Sequence, residues 1–337
     1  MDVIEVSYTG DILAHRRCSR SWAFEKYVGF RPYEQIQAME GQLVHHGMEW
    51  LTRQYILSGK QEHATAEATR THLDQFFSIL WARGIKTAFA DKQTTLDRVI
   101  GNLFPGGAMH PTVRAVVEGA LHEEYSIKAV RKVLPGAFGG KSRILLTGIV
   151  DLVVQQEHVV AYEREWRWTN LEAMLGALDK RRSQGETGDV EIWDYKASRA
   201  STPHLADYAR QVLTYAALYR DSAGVLPARC VIFFLNERNR AEQLVSVEVS
   251  EDAVTAALRW TEEQVARLRA TMRAFELNPS GVQGGELDLA DAPAGDRITS
   301  ELKAQCTTCS VRFDCTSYAA SLGPKKRDID IYDVTKN

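Results

Sequence analysis

Two aspartates and a lysine interrupt segments that otherwise have the composition of buried strands. Asp151 ends the segment TGIVD, and Asp194 and Lys196 lie in the segment WDYK. Side chains alternate along a strand, so Asp194 and Lys196 share one face while Tyr195 points the other way. If the two strands pair, the aspartates and the lysine meet at one edge of a sheet. Burying an ionised carboxylate without a partner is costly, so this pattern predicts a bound cation.

The residue types indicate which cation and what chemistry. Two carboxylates and the backbone carbonyl of Tyr195 offer the hard oxygen ligands that Mg²⁺ or Mn²⁺ prefers. Such an ion lowers the pKa of a bound water and neutralises charge on a phosphate that is being cleaved. Lys196 would then position or deprotonate that water, or stabilise the developing negative charge. The three residues alone leave an alternative open, namely a structural Asp–Lys pair at a strand end beside an unrelated aspartate in a turn.

These residues need a sheet to hold them, and the sequence predicts one. Segments rich in β-branched residues predict strands at YSIKAV, RILLTGIVDLVV, HVVAYE, VEIWDYKAS, RCVIFFLN and QLVSVEVS. Apolar and helix-forming patterns predict helices over 11–31, 41–59, 62–82, 110–122, 203–220 and 251–276. This order predicts an α/β fold with a central mixed sheet flanked by helices and a helical region before it.

Four short motifs follow one another in an order that is typical of one nuclease superfamily. Gly41 to His45 fits G-x-x-[VI]-H, Gly148 to Asp151 fits G-x-x-D, Asp194 to Lys196 fits D-x-K, and Gln211 to Tyr215 fits Q-x-x-x-Y. Taken together, the motifs resemble the RecB-type branch of the PD-(D/E)xK nuclease superfamily. The resemblance covers roughly residues 10–320, which is nearly the whole chain.

The resemblance implies a restriction-endonuclease-like core and a role for each motif. His45 would be a metal ligand together with Asp151 and Asp194. Gln211 and Tyr215 are four residues apart and share one helical face, and in the family that face approaches the active site and the DNA backbone. His46 follows His45 directly, so a motif register shifted by one residue would make His46 the ligand instead.

We expect a single nuclease domain over 1–337 with several subregions. The predicted subregions are a helical N-terminal part at 1–122, a catalytic sheet core at 123–250 with an insertion at about 160–188, a long helix at 251–278, a flexible connector at 279–300 and a cluster-binding tail at 301–320. Trp166 and Trp168 in the insertion would either stack on bases or pack internally. Glu124 would be either an additional acidic group or an ordinary sheet-edge residue.

The five cysteines favour a metal centre over disulfides. Cys306, Cys309 and Cys315 crowd into a C-x₂-C-x₅-C pattern near the C-terminus. A 4Fe–4S cluster or a zinc site needs four ligands, and Cys18 is the natural fourth thiolate. Cys230 lies inside the apolar strand RCVIFF, where a small buried hydrophobe is expected.

This cysteine pattern resembles the iron staple of AddB-like nucleases and of CRISPR adaptation exonucleases. The resemblance implies a structural [4Fe–4S] cluster held by Cys18, Cys306, Cys309 and Cys315. Closing so long a loop would stabilise the fold by removing unfolded-state entropy, as a disulfide does. Zinc on the same four ligands is the alternative.

Composition and charge restrict the environment and the partners. The net charge of −3 excludes a histone-like basic binder, although a local basic groove remains possible beside an acidic metal site. No apolar run approaches the roughly 20 residues of a membrane span, and the N-terminus has no apolar signal core, so we expect a cytoplasmic protein that does not contact membranes. No G-x-x-x-x-G-K-[ST] motif occurs in the sequence, so a helicase partner would be a separate polypeptide.

The combined prediction is a Mg²⁺- or Mn²⁺-dependent DNA nuclease with an iron–sulfur staple. By resemblance it would be an exonuclease acting on single strands or DNA ends in DNA repair, CRISPR adaptation or phage defence, alone or with a helicase or an adaptation subunit. A catalytically silent DNA-binding scaffold subunit with the same fold and cluster is the alternative from another class. RNA as the substrate is a further alternative.

Overall fold

The computed structural model describes most of the chain up to Leu277. It covers residues 3–23, 25–26, 36–82, 92–132, 143–155, 180–181, 183–185, 187–200 and 202–277. The predicted strand HVVAYE, most of the predicted insertion with Trp166 and Trp168, the connector and the cysteine-rich tail lie outside these residues. The side chain of Glu124 also lies outside the described part.

The described elements follow one another in this order along the chain. They are β1 (Val3–Ser7), a π-helical turn (Tyr8–Leu13), α1 (Ala14–Arg17), α2 (Ser19–Ala23), α3 (Ile36–Leu57), α4 (Ala66–Ala82), α5 (Lys92–Leu103), a 3₁₀ turn (Pro105–Gly107), α6 (Pro111–Gly119), β2 (Ala120–Lys132), β3 (Arg143–Gln155), β4 (Val190–Lys196), α7 (Thr202–Ala223), β5 (Arg229–Phe234), α8 (Arg240–Gln243), β6 (Leu244–Val247) and α9 (Glu251–Leu277). No described helix is long and apolar enough to cross a bilayer.

The chain divides into two compact units. One comprises Met1–Tyr33, Lys132–Ile144 and Thr261–Asn337, and the other comprises Glu34–Arg131 and Leu145–Trp260. The candidate catalytic residues all belong to the second unit. The expectation of a single domain with its subregions stays a prediction.

The second unit is built on a mixed sheet. Strands run in the order β3, β4, β5, β6, and β2 also pairs with β3. β4 is antiparallel to β3 and parallel to β5, and β5 is antiparallel to β6. This arrangement confirms the predicted α/β fold with a mixed sheet flanked by helices.

Helices cover both faces of the sheet. α3, α4, α5 and α6 share one apolar core with one face of the strands, which includes Leu152, Trp193 and Phe233. α7 packs on the opposite face, where Cys230 Sγ lies 3.5 Å from the carbonyl oxygen of Val212. Because both faces are covered, β4 and β5 are buried along almost their whole length, and β5 shows an apolar run and not an alternation.

The structure corrects the predicted helix over 11–31. A π-helical turn and two short helices replace its first half, and Cys18 between α1 and α2 is extended, with φ −161° and ψ 107°. The side chain of Asp11 explains part of the irregularity. It accepts hydrogen bonds from Ser7 N, Ser7 Oγ and Trp22 Nε1, and such local bonds compete with a regular helix.

β1, α5 and α8 were not predicted, and one helix boundary was wrong. α5 was missed because it has a polar sequence with only a narrow apolar stripe that includes Leu96, Val99 and Leu103. The helix predicted over 110–122 ends at Gly119, since Ala120 begins β2.

A buried ion pair fixes the register of the two central parallel strands. Arg229 Nε lies 2.6 Å from Glu191 Oε1, Arg229 Nη2 lies 3.1 Å from Glu191 Oε2, and Trp193 Nε1 donates to Glu191 Oε2 at 2.9 Å. Glu191 and Arg229 are opposite each other in the β4–β5 register. Their side chains are 0% and 2% exposed, so neither charge has an alternative partner in water.

Replacing Arg229 with methionine should destabilise the fold by about 3–5 kcal/mol, because it leaves the Glu191 charge buried and uncompensated. Urea denaturation would measure the change in the free energy of unfolding. The matched control is Arg53→Met, which removes the exposed pair with Glu49 and should cost under about 1 kcal/mol. If both variants lower the free energy of unfolding by the same amount, burial of the Glu191–Arg229 pair does not have the proposed effect.

Candidate active site

The site begins where the hydrogen-bond ladder between β3 and β4 ends. Paired residues run from Gln155 opposite Val190 to Leu152 opposite Trp193. Asp151 is the next residue on β3, and its Oδ2 accepts a hydrogen bond from Tyr195 N at 2.8 Å. A side chain therefore takes the position of a backbone acceptor at this point, and the carboxylate of Asp151 lies beside β4.

His45 meets Asp151 from helix α3. Its Nδ1 lies 3.1 Å from Asp151 Oδ1, and its ring is edge-on to the ring of Tyr195, with centroids 6.2 Å apart. Leu43 and Val44, which precede it, are buried in the core and anchor this turn of the helix. Burial lowers the pKa of His45, but the charge of Asp151 and the bond to it outweigh this effect and raise the pKa above its ordinary value.

His46 belongs to a different cluster. Its Nδ1 lies 3.4 Å from Glu49 Oε2, and its Nε2 lies 3.0 Å from His72 Nε2 on α4. The ring of Phe76 stacks on it at a centroid distance of 3.8 Å. Of the two histidines that the motif left open, the structure brings His45 and not His46 to Asp151.

Asp194 and Lys196 share one face of β4, as the alternation predicted. Lys196 Nζ lies 2.5 Å from Asp194 Oδ2 and 3.4 Å from Gln211 Oε1 on α7. Burial disfavours the charged ammonium, but the charges of Asp194 and Asp151 outweigh this effect and raise the pKa of Lys196.

The amide of Gln211 connects α7 to the charged pair. Its Nε2 donates to Asp194 Oδ1 at 3.2 Å and to the hydroxyl of Tyr215 at 3.0 Å, while its Oε1 faces Lys196. This orientation places the carbonyl on the cation and the NH₂ group on the carboxylate. Burial raises the pKa of Tyr215 to about 12, so the hydroxyl keeps its proton and can still donate it in a hydrogen bond.

The glycine of the G-x-x-D motif makes room for the tyrosine of the Q-x-x-x-Y motif. A Cβ on Gly148 would lie 2.5 Å from Cε1 and 2.9 Å from Cδ1 of Tyr215. Tyr215 is itself buried, so its ring cannot move aside into solvent. The two motifs, which are far apart in the sequence, are therefore in direct contact.

The surroundings of Asp194 and Asp151 shift the pKa values of these two carboxyl groups in opposite directions. Burial raises the pKa of Asp194, and the charge of Asp151 adds to this effect while Lys196 opposes it. Burial acts on Asp151 as well, but His45, Lys196 and the Tyr195 N–H lower its pKa below the ordinary value. Burial is the main cause of the raised pKa of Asp194, whereas the basic neighbours of Asp151 outweigh burial there.

The two aspartates could bind a cation, although the described residues are not arranged as a complete metal site. Asp194 Oδ2 is buried and accepts no aligned hydrogen bond in the described part of the chain; its contact with Lys196 is an ion pair. Within the described ranges, no three histidine, cysteine, aspartate or glutamate side chains are arranged as a metal centre. In this arrangement His45 pairs with Asp151, and Lys196 pairs with Asp194. The donor set of two carboxylates and an imidazole fits a divalent ion that takes over the Asp194 oxygen.

One neighbour of Lys196 was missed at the level of sequence. The ring centroid of Tyr208 lies 4.8 Å from Lys196 Nζ. The sequence could have identified Tyr208, because it lies three residues before Gln211 on α7 and residues at this spacing share one face of a helix.

Cys18 is the one predicted cluster ligand that the structure describes. It is half-buried, and its Sγ accepts a hydrogen bond from Ser21 N at 3.4 Å. Cys306, Cys309 and Cys315 lie outside the described residues. Cys230 is buried in β5, and burial raises the pKa of its thiol, in agreement with the predicted role of a small hydrophobe.

Comparison with known proteins agrees with the geometry. A model of the PD-(D/E)XK nuclease superfamily matches residues 11–164 and 159–316. These ranges include the histidine, both aspartates, the lysine and the Gln–Tyr pair. No curated protein matches the chain.

Replacing Gly148 with alanine should lower the free energy of unfolding by about 1–3 kcal/mol, because the new methyl group overlaps the buried ring of Tyr215. Denaturation of the single variants and of Gly148→Ala/Tyr215→Leu would measure the coupling, and the loss should shrink when the ring is absent.

The matched control is Gly101→Ala on helix α5. A Cβ at Gly101 has no atom within 4 Å, so alanine there should stabilise the helix by about 0.5–1 kcal/mol. If Gly148→Ala is as well tolerated as the control, the contact between the two motifs does not limit packing.

Proposed function

Because this chain belongs to the PD-(D/E)XK nuclease superfamily, we propose that it is a Mg²⁺- or Mn²⁺-dependent deoxyribonuclease that hydrolyses phosphodiester bonds. Membership of the superfamily implies a nuclease-type function, and such nucleases generally use divalent metals. The observation that carries the proposal is the proximity of two groups. His45 contacts Asp151, and Lys196 and Gln211 contact Asp194. The hydrogen bond from Tyr195 N to Asp151 Oδ2 links the two groups across β3 and β4. A structural Asp–Lys pair would need neither the second carboxylate nor the histidine.

The roles of the residues follow from their contacts. A divalent ion held by His45, Asp151, Asp194 and the backbone carbonyl of Tyr195 would supply a lowered water pKa and charge neutralisation at the phosphate. Lys196 orients the attacking water or stabilises the negative charge that develops on the phosphate oxygens.

Gln211 and Tyr215 support the lysine and the carboxylate from helix α7. The amide of Gln211 fixes the relative positions of Lys196 and Asp194, because it bonds to both. The hydroxyl of Tyr215 accepts a bond from the amide and keeps its own proton for a substrate oxygen or a water.

The finer features of the proposal come from the order of the motifs. We propose single-stranded DNA or DNA ends as substrate and exonuclease action in DNA repair, CRISPR adaptation or phage defence. A separate helicase or an adaptation subunit would deliver the strand. The likeness to the RecB-type branch supports these features.

Lys196→Met should reduce cleavage about 10²–10³-fold, because it removes the cation that faces the reacting phosphate while it keeps the length of the side chain. Asp194→Asn should remove metal-dependent cleavage as well. The measurement is degradation of end-labelled single-stranded DNA with Mn²⁺ or Mg²⁺, and EDTA should abolish it. Asp252→Asn, an exposed aspartate in the first turn of α9, is the control that should keep full activity.

Each alternative has its own outcome in this assay. DNA that binds but stays intact with every metal would favour the silent scaffold subunit. Preferential loss of a ribo-oligonucleotide would favour RNA as the substrate. Circular DNA that resists degradation while linear DNA is lost would support exonuclease action. Equal cleavage by wild type and Lys196→Met would contradict the catalytic assignment.

We also propose a structural [4Fe–4S] cluster on Cys18, Cys306, Cys309 and Cys315. The bond from Ser21 N to Cys18 Sγ supports it, because hydrogen bonds to the sulfurs are typical of such ligands. Protein purified without oxygen should be brown, and Cys18→Ala or Cys309→Ala should lose the colour and unfold at a lower temperature. Cys230→Ala, which removes the buried thiol of β5, should keep the colour. Colourless protein with stoichiometric zinc would show that zinc takes the same four ligands.

A further inference from the structure

The ammonium group of Lys196 has three partners of different chemistry. Asp194 Oδ2 lies at 2.5 Å, Gln211 Oε1 at 3.4 Å, and the ring centroid of Tyr208 at 4.8 Å. A lysine ammonium carries three N–H donors. A cation within about 6 Å of an aromatic centroid is attracted by the negative face of the ring.

The ring of Tyr208 is held in place from the sheet. Lys196 on β4 is opposite Phe234 on β5 in the parallel register. The ring of Tyr208 packs against Phe234, with centroids 6.1 Å apart and planes tilted by 50°. Tyr208 therefore lies against both members of one register pair, with the lysine and the phenylalanine side by side.

We infer that Tyr208 is a positioning residue, which holds the Lys196 ammonium by a cation–π contact in the place where it acts on the phosphate. The inference rests on the proposed function, since the contact matters for catalysis only if Lys196 takes part in hydrolysis. Tyr208 itself needs no contact with the substrate.

The physical need for such a residue lies in the flexibility of lysine. Its four-carbon stem has many rotamers, and its strongest partner here is Asp194, which is also a proposed metal ligand. The ring of Tyr208 and the carbonyl of Gln211 are neutral. They hold the ammonium without competing for the carboxylate oxygen that a divalent ion would require.

Fluorinated phenylalanines at position 208 test the cation–π contact with Lys196 in the full-length protein. Tyr208→Phe keeps the ring face and should keep kcat within about twofold. Adding one, two and three fluorines weakens the negative face with little change in size, and kcat should fall stepwise to about one tenth, or about 1.4 kcal/mol in the barrier. KM should stay unchanged, because the inferred role of the ring is to position Lys196 and not to bind DNA. A role in packing alone would give no dependence on fluorine number, and this result would overturn the inference.

A thermodynamic cycle tests the same contact without any activity. Denaturation midpoints of Tyr208→Leu, Lys196→Met and the double variant should be non-additive, since the second substitution removes a contact already lost with the first. Tyr219→Leu, three turns further along the same helix, should be additive with Lys196→Met. Additive behaviour of Tyr208 and Lys196 would overturn the inference.

The two experiments also separate this inference from the proposed function. If the Tyr208→Leu and Lys196→Met variants are non-additive but the wild-type protein cleaves no nucleic acid, the nuclease proposal is refuted. The Tyr208–Lys196 contact would then be purely structural, and the positioning role would be refuted as well. Normal cleavage with no effect of fluorination would refute the positioning role alone.

Discussion

Two carboxylates placed side by side at the end of a strand pair, Asp194 buried and Asp151 half-buried, are the constraint on which this site depends. An ionised carboxylate without a partner is costly to bury, and here the structure buries Asp194 and places Asp151 beside it. The compensation comes from three directions: His45 from the helical layer, Lys196 from the same strand as Asp194, and the Tyr195 N–H at the point where the ladder stops. Burial raises the pKa of Asp194 despite the charge of Lys196, and a cation held close to that carboxylate would favour its ionised form.

The two helical layers have separate tasks in maintaining this arrangement. α3 brings His45 to Asp151 from one face of the sheet. α7 brings Gln211 and Tyr215 from the other face, and the close approach of Tyr215 to Gly148 sets how near that helix can lie. The buried pair Glu191–Arg229 fixes the register of β4 on β5 away from the site. Since that register also places Lys196 beside Phe234, an ion pair with no part in catalysis contributes to the position of the lysine.

Most of the sheet and the polar residues of the site could be predicted from the sequence, for identifiable reasons. β4 and β5 are rich in β-branched and aromatic residues, and α7 has apolar residues at helical spacing, so their predicted ranges agree with the structure within a few residues. The first half of the N-terminal helix was wrong, because the side-chain bonds of Asp11 are not visible in an apolar pattern. α5 was missed because a helix with one narrow buried stripe and a polar remainder resembles a loop in composition.

The sequence by itself determined the types of the candidate catalytic groups, since the order of the four motifs selects two carboxylates and a lysine. It also determined that Asp194 and Lys196 share a face, since that follows from the geometry of a strand. Only the tertiary structure decided between His45 and His46, because adjacent helical residues point about 100° apart and the packing of α3 on the sheet selects one of them. It also decided that Tyr208 faces the ammonium and that Gly148 faces Tyr215. Both contacts join segments distant in the chain, and their distances depend on how α7 packs against the sheet.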